Sequence, residues 1–157
     1  NEKAVKNLKN DKYDALRIAK AKATHLSKKN KNKIIITFDT TILHMKKTIY
    51  KCNTKKCCKS TLRSFNNTSH NLYTGMVFMI NNSLIRSSLT KTKIVFKKNK
   101  VIDINKYVER NFNQISSAVG CYNIEGKGKT FFKNIEKSYF NVIGIDIINF
   151  LKILRSI

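Results

Sequence analysis

The chain has 157 residues, 41% of them hydrophobic, and its 32 Lys and Arg against 9 Asp and Glu give a formal net charge of +23. This apolar content is enough for the core of one domain of ordinary size, and no apolar run approaches the roughly 20 residues that a membrane-spanning helix needs. The charge favours a polyanionic partner such as nucleotide phosphates or nucleic acid, or it reflects the Lys-, Asn- and Ile-rich composition that an AT-rich genome imposes on any protein.

The first predicted elements are a helix, a buried strand and a second helix. Apolar residues recur at helical spacing over residues 11–28. Residues 34–38 are a continuous β-branched and aromatic run, typical of a strand that is buried on both faces between parallel neighbours. A short strand, KTIYK, follows, and residues 54–65 show helical spacing with Thr54 as the N-cap.

The later elements complete an alternating pattern. Two long strands, residues 70–80 and 84–96, flank the turn sequence INNS, which is typical of a hairpin. A helix over 103–111 with Asp103 at its cap, short strands over 121–124 and 139–143, and a closing helix over 146–154 are then predicted. This order predicts an α/β protein with a mixed sheet.

Four cysteines occur, at Cys52, Cys57, Cys58 and Cys121. Their C-x4-C-C spacing matches no standard zinc site, and no secretory signal is recognisable. We therefore predict free thiols in a reducing, cytoplasmic environment rather than disulfides or metal ligands.

Asp39 is the strongest candidate for chemistry from the local sequence. It directly follows the buried run, and open α/β sheets place their chemistry beyond the carboxyl ends of such strands. A carboxylate there could hold Mg²⁺ or take a proton from water, or it could simply cap a turn. Lys22, Lys51 and Glu125 are further candidates, although each could equally be an ordinary surface charge, and the lone His70 is predicted to be structural.

Several segments, in their order and spacing, resemble the Maf family of septum-formation-inhibitor-like nucleotide pyrophosphatases. The segments that carry the resemblance are NEKAV, LRIAKAKA, IIITFDTTI, IYK, SHNLYTGMVF and VGCYNIEGKGKTFFKNIEKSYFNVIGI. The resemblance implies an α/β/α fold with a cleft between two lobes, a homodimer, and a housecleaning role. It also implies Mg²⁺- or Mn²⁺-dependent hydrolysis of a nucleoside triphosphate to the monophosphate and pyrophosphate.

The resemblance also implies roles for individual residues. Asp39 would be the proton acceptor that activates water and a ligand of the metal, and Glu2 would be the second catalytic carboxylate near that metal. Lys22 and Lys51 would neutralise the triphosphate. In-line attack on phosphorus needs this combination of an activated water, a metal and cations.

The sequence departs from the family pattern at its start and gives conflicting signals on the base. The family's opening strand and Ser-x-Ser-Pro-Arg-Arg phosphate loop have no counterpart, so we expect one Maf-like domain, residues 1–157, that lacks both. Thr40 resembles the branch acting on dTTP and UTP, whereas Glu125 resembles the branch acting on 7-methyl-GTP. Two alternatives stay open: a degenerate relative that binds nucleotide without turnover, and a basic nucleic-acid-binding module.

Overall fold

The computed structural model describes residues 8–137 and 139–156, which form a five-stranded sheet with helices on both faces. The strands are β1 (Ile35–His44), β2 (Lys47–Ile49), β3 (Ser69–Ile80), β4 (Ser83–Phe96) and β5 (Phe132–Glu136). The helices are α1 (Asp14–Lys29), α2 (Lys55–Phe65), α3 (Val101–Ile115), α4 (Tyr139–Ile143) and α5 (Ile147–Leu154). Within the described residues, no helix is both long and apolar enough to span a membrane.

The sheet has the strand order β2-β1-β3-β4-β5, and each neighbouring pair is antiparallel. The predicted α/β class is confirmed, but these described strands do not form the mixed sheet that the sequence suggested. The turn between β3 and β4 explains part of the difference, because Asn81 and Asn82 adopt φ of 48° and 67°, as a two-residue antiparallel hairpin requires. The apolar run in β1 is covered by helices on both faces, so it needs no parallel neighbours.

The two faces of the sheet carry separate apolar clusters. On one face, Ala19 and Ala23 of α1 pack against Val77 and Met79 of β3. On the other face, α2 and α3 pack over one end of the sheet and α4 and α5 cover the other end. The aromatic ring of Phe150 in α5, for example, stacks 6.0 Å from that of Phe78. The second face therefore has a gap between its two groups of helices.

Three predicted elements differ from their observed form. The strand expected to end before Asp39 continues through it to His44, because the β-branched residues that follow are also compatible with a strand. Residues 139–143, predicted as a strand, form α4, which ends at Gly144 with φ of 113°. The Gly144 and Ile145 amides donate back to the carbonyls of Asn141 and Phe140, a helix-closing arrangement that favours glycine. Residues 121–124 form no strand.

The cysteines correct a further expectation. Cys52 and Cys57 form a disulfide, so the prediction of a free thiol is wrong for these two residues and right for Cys58 and Cys121. The chain between β2 and α2 turns back on itself and places the Cα atoms of Cys52 and Cys57 5.5 Å apart, an ordinary spacing for a disulfide. Thr54 lies inside this turn and caps α2 as predicted, accepting a hydrogen bond from the Cys57 amide at 3.1 Å.

Candidate active site

A cavity of about 350 Å³ opens where β1 meets α1, the loop after α3, and α4. It is lined by five of the six residues singled out from the sequence: Lys22, Asp39, Thr40, Lys51 and Glu125. The sixth, Glu2, lies outside the described residues. Residues that are far apart in the chain, on a helix, a strand and two loops, thus meet around one cleft.

Asp39 lies in the middle of β1 and not at its end, yet it is reachable because β2 pairs only with residues 42–44 of that strand. Its side chain is 6% exposed and forms an ion pair with the Nζ of Lys22, whose side chain is 44% exposed. A carboxylate this buried needs a compensating charge, and Lys22 supplies one. Lys22 is therefore more than a solvated surface lysine.

The position of α1, which carries Lys22, depends on a close approach to the sheet. Gly75 pairs with Asp39 across β1 and β3, and a Cβ at Gly75 would lie 2.6 Å from the Cα of Leu16. Nearby, the Thr37 hydroxyl donates a hydrogen bond of 2.7 Å to the carbonyl of Ala19. These contacts hold α1 against the sheet one to two turns before Lys22.

Thr40 points to the opposite face of β1 from Asp39, because side chains alternate along a strand. Its Oγ1 lies 3.0 Å from the Oγ1 of Thr74, and Thr74 donates to the carbonyl of Asn141 at 3.2 Å. Because the single hydroxyl proton of Thr74 is used in the bond to Asn141, Thr40 is the donor to Thr74. This chain of hydroxyls ties β1 and β3 to α4, so the wall of the cleft on this side is fixed by hydrogen bonds.

The loop after α3 forms the facing wall and carries Glu125, which is exposed. The Glu125 amide donates to the Asn123 Oδ1 at 2.9 Å, and the Asn123 amide donates to the Tyr107 hydroxyl at 3.0 Å. Gly128 is required here, since a Cβ would lie 2.4 Å from the carbonyl oxygen of Asn123. Lys51 reaches the cleft from the segment that follows β2.

Tyr122 and Asn123 line the cleft and were not singled out from the sequence. Tyr122 is buried, and its hydroxyl lies 2.9 Å from the Nε2 of His70. Burial, with a smaller contribution from His44, lowers the pKa of His70 to about 3. His70 is thus a neutral core residue, which agrees with the predicted structural role. Tyr122 and Asn123 lie two to three residues before Glu125 in the glycine-containing loop, and this proximity could have identified them from the sequence.

The donors in the cleft suit a hard cation. Asp39 offers a carboxylate at the cleft edge, and Mg²⁺ is commonly held by one or two carboxylates together with substrate phosphates. Within the described part of the chain, the only group of three or more close His, Cys, Asp or Glu donors is formed by Cys52, Cys58 and Cys121, outside the cleft. The oxygen chemistry of the Asp39 carboxylate therefore fits Mg²⁺ or Mn²⁺ better than a thiophilic metal.

This cleft, on an α/β scaffold with helices on both faces of the sheet, is the arrangement that the resemblance implied. The family model for Maf-like proteins matches residues 1–157, and the chain belongs to this family.

Three relatives of the chain carry two substrate names. A dTTP/UTP pyrophosphatase of Clostridium botulinum (strain Okra / Type B1) is 30% identical over 136 residues, covering 84% of this chain and 69% of the relative. A dTTP/UTP pyrophosphatase of Carboxydothermus hydrogenoformans is 28% identical over 142 residues, or 90% and 75% of the two chains. A 7-methyl-GTP pyrophosphatase of Rhizobium johnstonii is 25% identical over 143 residues, or 91% and 72%.

Proposed function

We propose that this protein is a nucleoside triphosphate pyrophosphatase, which hydrolyses its substrate to a nucleoside monophosphate and pyrophosphate. The observation that carries the proposal is the Lys22–Asp39 ion pair in a cleft that also contains Lys51, Thr40 and Glu125. The names of the relatives support the same reaction class.

Three charged residues of the cleft, Asp39, Lys22 and Lys51, each have a task in the proposed reaction. Asp39 accepts the proton of the attacking water, and Lys22 keeps the carboxylate placed at the cleft edge until substrate binds. Lys22 and Lys51 offset the negative charge of the triphosphate. Asp39, with Glu2 as the proposed second carboxylate, would hold Mg²⁺ or Mn²⁺, and the cation would supply Lewis-acid stabilisation of negative charge.

We propose dTTP and UTP as the substrates. Thr40 resembles that branch of the family, and its hydroxyl is held by Thr74 at the cleft wall. The Clostridium and Carboxydothermus relatives with this substrate name are 30% and 28% identical to the chain, against 25% for the 7-methyl-GTP enzyme. Glu125 favours the other branch, so 7-methyl-GTP is the competing substrate.

We further propose that the enzyme is a homodimer, that it acts in the cytoplasm and that it has a housecleaning role. Apolar side chains on α4 and α5 support the dimer: Phe140 is 56% and Ile148 58% exposed, and a second copy of the chain could cover them.

The test is pyrophosphate release from dTTP, UTP, CTP and 7-methyl-GTP with Mg²⁺ or Mn²⁺. We expect Asp39→Asn to lower turnover by about 10²–10⁴-fold, because an amide cannot accept the proton. Glu136→Gln is the matched control: it also replaces an acid with an amide, but Glu136 pairs with Lys93 on the surface and does not line the cleft. Its turnover should equal that of the unmodified protein.

Three outcomes would change the proposal. Full turnover by Asp39→Asn would show that the cleft is not the catalytic site. Nucleotide binding without turnover by the folded, unmodified chain would identify a degenerate binding protein. Neither binding nor turnover, combined with tight and steeply salt-dependent nucleic-acid binding, would favour the basic nucleic-acid-binding module.

A further inference from the structure

The four cysteines of the chain lie together beside the cleft. Cys52 directly follows Lys51, and Cys121 directly precedes Tyr122, so the cluster joins segments that line two parts of the cleft. The sulfurs of Cys52, Cys58 and Cys121 all lie within 4.8 Å of one another, and all three residues are buried. Residues from three separate segments have converged on one point in the core.

The backbone at Cys121 is unusual for a residue with a side chain. Its φ is 59°, directly after Gly120 at 83°, in the left-handed region that L-residues other than glycine rarely adopt. Such a conformation persists where the surroundings enforce it. Here it presents the Cys121 sulfur to those of Cys52 and Cys58.

The chemistry of the cluster suits a soft cation. Around tetrahedral Zn²⁺, with metal–sulfur distances near 2.3 Å, the sulfurs are about 3.8 Å apart. The observed sulfurs lie within 4.8 Å of one another, which is compatible with that spacing after a small adjustment. Cys58 lies in the first turn of α2, and Cys52 and Cys121 lie in the segments before α2 and after α3.

We propose that Cys52, Cys58 and Cys121 form a binding site for one thiophilic divalent cation of the Zn²⁺ type, and that the Cys52–Cys57 disulfide closes this site. In the disulfide form, the Cys52 sulfur is bonded to that of Cys57 and cannot serve as a thiolate ligand. A dithiol reductant transfers two electrons and two protons to the disulfide and becomes oxidised itself. The cation then binds the three sulfurs and releases their protons to solvent. This site is distinct from the oxygen donors of the cleft, which suit Mg²⁺ or Mn²⁺.

The test is an anaerobic titration with Co²⁺, whose thiolate charge-transfer absorption reports sulfur ligands directly. With a phosphine reductant, the unmodified protein should bind one equivalent with a band intensity typical of three thiolates. Without reductant, the disulfide form should show no such band. Zn²⁺ should displace the Co²⁺, and an excess of Mg²⁺ should not, because Mg²⁺ prefers oxygen ligands.

Variants distinguish the effect of losing the disulfide from the effect of losing a metal ligand. Cys57→Ser cannot form the Cys52–Cys57 bond, so it should bind Co²⁺ with or without reductant. Cys121→Ser and Cys58→Ala should each weaken binding by at least about 100-fold, since losing a ligand costs more than losing a ligand's hydrogen-bond partner. Circular dichroism checks that each variant is folded.

Absence of the thiolate band in folded Cys57→Ser would overturn the site. Equal binding by folded Cys121→Ser would overturn the assignment of Cys121. If both ligand variants fail to fold, the band intensity of Cys57→Ser still decides whether three sulfurs bind. Nucleotide hydrolysis enters none of these readouts, so the result is independent of the proposed enzyme activity.

Discussion

His70 lies in the core beneath the cleft, where its ring centroid is 4.2 Å from that of Phe65 and 5.5 Å from that of Phe96. Its Nε2 lies 2.9 Å from the hydroxyl of Tyr122, which lines the cleft. Because burial lowers its pKa to about 3, the folded state requires the neutral ring. Protonation of this one residue therefore opposes folding.

The free energy of unfolding should depend on pH through His70. In the unfolded chain His70 takes up a proton near its ordinary pKa of 6.5, whereas the folded chain resists protonation down to about pH 3. The unfolded state thus binds more protons in this window, and stability falls as pH falls below 6.5, approaching about 1.4 kcal/mol per pH unit from this residue alone.

The measurement is urea unfolding between pH 7 and pH 5 for the unmodified protein and His70→Gln. The glutamine can still bond to Tyr122 but does not titrate. The variant should have a shallower dependence on pH, whatever its stability at pH 7. Parallel curves for the two proteins would contradict the buried, neutral state of His70.

At the residue scale, the sequence predicted which residues line the cleft better than it predicted their contacts. The resemblance picked out the cleft residues Lys22, Asp39, Thr40, Lys51 and Glu125, and the structure brings all five to one cavity. The Lys22–Asp39 pair and the cysteine cluster could not be predicted, because each joins residues whose separation is set by the packing of whole elements. The catalytic and binding roles of these five cleft residues stay predictions until the variants are measured.

At the scale of elements, α1 is the part of the fold on which the cleft depends most directly. It carries Lys22 and lies on β3 so closely that the backbone of Leu16 and Ala15 leaves no room for a Cβ at Gly75. Gly75 in turn pairs with Asp39. A single glycine thus sets the distance between the helix and the strand that carry the two charges.

Gly75→Ala should destabilise the protein by about 1–3 kcal/mol, since the contact is with backbone and α1 must move away from the sheet. The same movement should separate Lys22 from Asp39 and lower pyrophosphate release at temperatures where the variant remains folded. Urea unfolding and the pyrophosphate assay measure the two effects.

Gly126→Ala is the matched control, because a Cβ there would meet only the Asn123 side chain, at 3.3 Å. It should lose much less stability than Gly75→Ala. Equal losses for the two alanine variants would show that the approach of α1 does not limit stability.

The sequence patterns predicted the β3–β4 hairpin closely and gave the wrong element type for α4. β3 and β4 follow the predicted ranges within a residue, because long β-rich runs around an Asn-Asn turn leave few alternatives. α4 was predicted as a strand from its local composition. In the structure α4 is tied to β4 by Asn141, whose side-chain amide donates to the Thr92 hydroxyl at 3.0 Å, a tertiary contact that no local pattern contains.

At the scale of the whole molecule, the charge of +23 is the dominant electrostatic feature. Local ion pairs relieve it in places: Lys55 and Lys59 each contact Glu109 at 2.6 Å, which lowers the pKa of that exposed carboxyl to about 2. With 32 basic residues against 9 acidic ones, however, most of the basic side chains have no acid available to pair with. Repulsion among them disfavours the compact state.

Salt should therefore stabilise this protein. Raising NaCl from about 0.01 M to 0.15 M shortens the Debye length from about 30 Å to 8 Å, which screens repulsion between distant lysines more than attraction within contacting ion pairs. We expect Tm to rise by a few degrees, equivalent to about 1 kcal/mol for a chain of this size. Calorimetry in NaCl and in KCl at equal ionic strength measures the rise, and agreement between the two salts separates screening from binding of a particular cation. A fall in Tm over the same range would mean that ion pairs such as those of Glu109 outweigh the net repulsion, and that the basic residues are placed more favourably than their number implies.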